Sequence, residues 1–97
     1  MEEVRVFKLI SGEEVIARVD ADIDMATATH LVLNKPRVIT IIPNKDGGIG
    51  VALIPLSVNA IDDGYVIIAQ GFIGYPEKVN PNLEKRYLSE TSSIQLV

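Results

Sequence analysis

Five consecutive segments of β type, separated by turns and followed by a single helical signal, constrain this chain more than any other feature. The first covers residues 4–10, rich in β-branched and aromatic side chains, and stops at Ser11-Gly12, where glycine supplies the positive φ of a tight hairpin. From Glu14 the pattern alternates cleanly. Val15, Ala17, Val19, Ala21, Ile23 and Met25 share one face, and Glu14, Ile16, Arg18, Asp20, Asp22 and Asp24 share the other. That alternation predicts a second strand reaching Met25, long enough that it must bend around a small core, with Ala17 and Ala21 leaving room for the bend. A third strand over 31–42 should kink near Asn34-Lys35-Pro36, because proline donates no ladder hydrogen bond. The polar loop 44–48 leads to a fourth strand over 50–61, and Asp62-Asp63-Gly64 turns the chain into a fifth over 65–73.

With no helix between strands, the expected fold is all-β: a small, strongly bent, five-stranded antiparallel barrel with a short C-terminal helix, one domain over 1–97. The barrel is expected over about 4–75, and the helix and tail over about 80–97. Asn80 is placed as N-cap and Pro81 as first helical residue, with Leu83, Tyr87 and Leu88 on one stripe and Thr91-Ser92-Ser93 ending the helix. Residues 94–97 read as a short sixth strand or a frayed end.

Ninety-seven residues leave little stability to spare. Yet 47% of them are hydrophobic, and the segments 38–42, 51–54 and 66–69 are apolar on both faces, where an isolated antiparallel barrel would alternate. A tail of about twenty residues is short for covering all three. Val51, Leu53, Ile54, Val66 and Ile68 are therefore expected at a subunit interface, on strands whose bare edges would otherwise pair without control.

The net charge of −4 provides no general field for a polyanion, so no DNA binding is expected and any RNA contact must be local. Arg5, Lys8, Lys35 and Arg37 are the candidates for a basic patch on strands one and three. The absence of cysteine removes thiolate chemistry and fits a reducing compartment; with an acidic start at Met1-Glu2-Glu3 and no apolar run near the roughly 18 residues of a membrane span, a cytoplasmic, non-membrane protein is expected.

Asp20-x-Asp22-x-Asp24 opens like a calcium loop, but Met25 stands where the turn glycine belongs and Leu31 where the bidentate glutamate belongs. The single histidine, His30, has neither a cysteine nor a second histidine to work with, and loop 44–50 lacks the Gly-x-x-x-x-Gly-Lys-Ser/Thr pattern of a phosphate cradle. No enzyme, metal or cofactor is expected.

On these features the chain resembles the Sm-like family of ring-forming barrels, which includes the Sm and LSm proteins and Hfq. The likeness rests on the first hairpin with Gly12, on Asp22-Ile23-Asp24-Met25-Ala26, similar to the Asp-x-x-Met-Asn loop of the first Sm motif, and on Ala69-Gln70-Gly71, similar to the Arg-Gly step of the second. It is also similar to sparsely characterised Sm-like chains of phage and marine-metagenome type, through Gly12-Glu13-Glu14-Val15, Lys35-Pro36-Arg37-Val38 and a tyrosine in a helix after the barrel. The resemblance implies a homo-oligomeric ring with Asp22, Met25, Ala26, Gln70 and Gly71 at the pore, where single-stranded RNA binds in the family. Ala26 stands in place of the asparagine that reads a base edge and Gln70 in place of the arginine, so one hydrogen-bonding group and one charge are missing. The helix lies after the barrel, whereas the family places it before. A structural or protein-interaction ring without nucleic acid is the alternative.

Overall fold

The computed structural model describes residues 2–24, 27–56, 63–68, 71–74 and 79–91. It is mostly β: β1 (Glu2–Leu9), β2 (Glu14–Asp20), β3 (His30–Pro43) and β4 (Ile49–Pro55) form one antiparallel sheet, followed by β5 (Tyr65–Ile68), β6 (Phe72–Gly74) and a C-terminal helix, α1 (Pro81–Thr91). The sheet order is β4-β3-β2-β1-β6, and β5 pairs with β3.

The first hairpin forms where the sequence places it. Gly12 has φ 95°, its N–H donates to Leu9 O at 2.9 Å, and Leu9 N donates to Glu13 O at 2.7 Å. The expected second strand is shortened, however. The Asp20 carboxylate accepts from Asp22 N at 2.9 Å, an Asx turn that competes with the ladder and stops β2 at Asp20. Ile23 still packs on the core, from the turn. The fifth strand also differs from expectation: 65–68 lies against His30–Leu33, whereas 72–74 lies against β1, with Lys8 opposite Gly74. Gly71 O accepts from Ile10 N at 2.9 Å, which turns the chain from one partner to the other, so Gly71 sits between strands and not within one.

The kink in β3 is present. Ile16 faces Arg37 and Arg18 faces Asn34, so two steps on β2 oppose three on β3, and Lys35 takes the left-handed φ of 51°. Lysine in that region costs roughly 1 kcal/mol. Lys35→Gly should therefore stabilise the fold by up to about 1 kcal/mol, since the Lys35–Asp63 ion pair it loses, 3.7 Å and largely exposed, contributes little. Urea unfolding measures the change, and a net loss of stability would mean that the kink is not strained.

Two apolar layers flank the sheet. Phe7, Val15, Ala17, Val19, Leu31 and Leu33 form the inner core, with Leu9, Val38 and Leu56 packed against it. On the outer face, Val6 and Ile16 are buried beneath Tyr87, and Val4, Ile39, Leu53, Val79 and Leu83 surround them. Helix α1 makes this second layer. Its N-cap is Asn80, whose side-chain oxygen accepts from Asn82 N at 2.9 Å and whose carbonyl accepts from Glu84 N at 2.9 Å. The helix stripe is Leu83, Tyr87 and Thr91 rather than one that includes Leu88, which is exposed.

Tyr87 joins helix to kink. Its hydroxyl lies 3.1 Å from Asn34 O and 2.8 Å from Lys35 O, the two carbonyls turned out of the ladder by the bulge. Arg18 Nη2 donates to Thr91 Oγ1 at 3.1 Å, Thr91 Oγ1 donates to Tyr87 O at 2.8 Å, and the guanidinium lies 6.0 Å from the Tyr87 ring centroid. Thr91, expected at the end of the helix, is its last residue and is buried, its hydroxyl bridging these two partners.

Candidate functional site

The two loops assigned to the pore leave the sheet at one end of β3. The β2–β3 loop, carrying Asp22, enters β3 at His30; His30 pairs with Ile68, the last residue of β5, and the chain then runs on to Gly71. Asp22 is exposed in its turn, held by Asp20, with Ile23 N donating to Asp20 O at 3.3 Å and Ala28 N to Asp24 O at 2.9 Å. Met25, Ala26 and Gln70 lie outside the described residues. So do residues 94–97, read as a sixth strand or a frayed end. His30, exposed, sits at the same end with Nδ1 3.2 Å from Thr29 Oγ1.

The four basic candidates do not form one patch. Alternation places Arg5 on the face of Phe7 and Lys8 on the face of Val6. Arg5 is engaged by Glu3 through Nε at 2.6 Å and through Nη2, and Lys35 by Asp63. Arg37 Nη1 donates to the Pro36 carbonyl at 3.0 Å. Lys8 faces Glu14 across the hairpin. The charges of Arg5 and Lys35 are thus offset by carboxylates within the protomer, which lowers their capacity to neutralise phosphates. Among the described residues no group of three His, Cys, Asp or Glu side chains is placed to hold a metal ion, and no helix is long and apolar enough to cross a membrane.

Of the expected interface residues, Leu53 is half-buried and packs under α1, because it pairs with Ile39 on the helix-covered face. A short helix covers more of the sheet than expected because one fully buried tyrosine spans the gap between β1, β2 and the kink. Val51 is half-buried, Ile54 is 45% exposed and Val66 is 58% exposed. Ile68 takes its place in β5 opposite His30.

Sequence reasoning missed Ile41 and Ile49 as surface residues, 65% and 72% exposed. They lie beyond the helix on the projecting part of the β3–β4 hairpin, with Ile41 opposite Val51 and Pro43 opposite Ile49. The signal was available, since the β4 sequence Ile49-Gly50-Val51-Ala52-Leu53-Ile54-Pro55 contains no charge and ends the sheet as an edge strand. Edge strands of stable monomers are normally guarded by charge, and this one has none.

No protein-family model matches this chain, and the search of curated proteins finds no match.

Proposed function

We propose that this chain is the protomer of a ring-forming, Sm-like oligomeric module. The supporting observation is the uncharged strand β4 at the end of the described sheet, with Ile49 and Ile54 exposed on it and Ile41 exposed beside it on β3. The strand pairings fit a bent barrel of this type. With β5 on β3 and β6 on β1, the two short strands after β4 pair with non-adjacent strands of the sheet, as closure of a barrel requires. Strand β4 lies at the far end of that sheet, and its edge pairs with the β5 segment of the next subunit. The family resemblance supplies the ring; the strand edges supply a physical reason for it.

The charge arrangement favours a structural or protein-interaction ring, since Arg5 and Lys35 are ion-paired and the net charge is −4. Single-stranded RNA at the pore is the second reading, supported by the likeness of the Asp22 and Gly71 segments to the Sm motifs. Both readings are tested together. Size-exclusion chromatography with light scattering should give a multiple of the 10.6 kDa protomer, and a clean monomer at about 100 µM rejects the ring. On the associated protein, a gel shift with oligo-U or oligo-A that weakens with salt selects RNA, and no shift at micromolar protein and low salt selects the structural ring.

A further inference from the structure

The register arranges the outer face of the sheet in successive rows. Glu2 faces Asp20, and Val32 faces Val66 beside them; these sit at one end of the sheet. Next come Val4 with Arg18 and Asn34, then Val6 with Ile16, then Ile39 with Leu53, all under or against α1. At the far end Ile41 faces Val51, Pro43 faces Ile49, and the tip loop carries Lys45.

The two uncovered ends are chemically complementary. At the first end, Glu2, Asp20, Val32 and Asn34 line an open cleft of about 260 Å³. Its carboxylates are exposed, its floor carries Val32, 44% exposed, and Val66 lies alongside. The Asn34 amide donates to Glu2 and its oxygen accepts from Gly64 N at 2.7 Å, which fixes the cleft to the kink. At the second end, a bare apolar arm is exposed on both faces, Ile41 and Ile49 on one and Ile42 on the other. Lys45 at its tip has no carboxylate partner among the described residues. The neighbouring Asp46 turns back into the loop to accept from Gly48 N at 3.1 Å.

We infer that the arm of one copy, residues 41–49, docks into the Glu2–Asp20–Val32–Val66 cleft of a second copy, placing Lys45 against the two carboxylates and its isoleucines against the valines. An arm cannot serve its own cleft. Nine residue steps along β3 separate Val32 from Ile41, up to roughly 30 Å of strand, and α1 lies across the sheet between them. The contact joins two different surfaces, arm to cleft, and repeated head to tail from copy to copy it closes a ring or propagates as a filament. The inference rests on the self-association proposed above and adds to it a specific, charge-selected contact that the edge of β4 alone does not require.

A charge swap tests it. Lys45→Glu and Asp20→Lys are each measured by sedimentation velocity at low salt, together with the double variant, after circular dichroism has shown each to be folded. Each single change should weaken self-association about tenfold, and the double variant should recover most of the loss. Should Asp20→Lys fail to fold, Glu2→Lys replaces it in the same cycle. If the wild type associates and the single variants associate equally well, or if the double variant shows no recovery, this contact is wrong while the ring reading stands. A monomeric wild type overturns both.

Discussion

Replacing Tyr87 by alanine is expected to leave the chain largely unfolded at room temperature. Tyr87 is completely buried, and it is the one helix side chain that touches both the Val6–Ile16 layer and the carbonyls of the β3 kink. Truncating a buried aromatic to alanine costs about 3–5 kcal/mol, and stranding two carbonyls under the helix adds to that. A domain of this length sits near the lower end of the usual 5–15 kcal/mol of total stability, so the loss consumes most of it. Tyr87→Phe separates the two contributions. It keeps the ring over Arg18 and Ile16 but removes the hydroxyl, and should cost about 1–3 kcal/mol. For a chain near 100 residues that lowers the melting temperature by roughly 4–8 °C per kcal/mol. Thermal and urea unfolding followed by far-ultraviolet circular dichroism measure both variants. A phenylalanine variant as stable as the wild type would show that the hydroxyl does not hold the kink.

The second large effect is on assembly. Ile54→Asp should reduce the particle to the 10.6 kDa protomer without unfolding it. In the protomer Ile54 is 45% exposed, so an aspartate there can keep its water; at a subunit contact the same carboxylate would be buried without a partner, at a cost of several kcal/mol. Several kcal/mol is a factor of at least about a hundred in association. The control is Leu88→Asp. Leu88 is 37% exposed on α1, outside both strands of the proposed contact, and its substitution should leave the mass unchanged. Light scattering across a concentration series reads both. Equal masses for wild type and Ile54→Asp would remove β4 from the interface.

The local devices were legible in the sequence. Gly12 at the first hairpin, Pro36 at the kink and Asn80 before Pro81 each act through nearest-neighbour stereochemistry, and each appears where its residue type demands it. The inner face of β2 was legible as well, through the alternation of Val15, Ala17 and Val19. What escaped was chemistry acting at a distance. The end of β2 was hidden because Asp20 reads as one more polar outward residue until its carboxylate is seen capping Asp22. Tyr87 reads as an ordinary apolar helix position, since nothing near it announces a bond to carbonyls 52 and 53 residues away. That contact is also why the outer face over Ile39 and Leu53 is less bare than its two-sided apolar pattern suggests. Of the segments that resemble the Sm motifs, the loop containing Asp22 and the turn at Gly71 could be located, whereas the departures at Ala26 and Gln70 are a matter of residue type alone.

The order in which the pieces are synthesised gives α1 one more role. Every described strand of the sheet precedes it in the chain, so a nascent polypeptide displays Val6, Ile16, Ile39 and Leu53 before the residues that shelter them have left the ribosome. Throughout that interval the growing product is a natural client for chaperones that hold exposed apolar surface, and translational stalling just before Tyr87 would prolong its exposure.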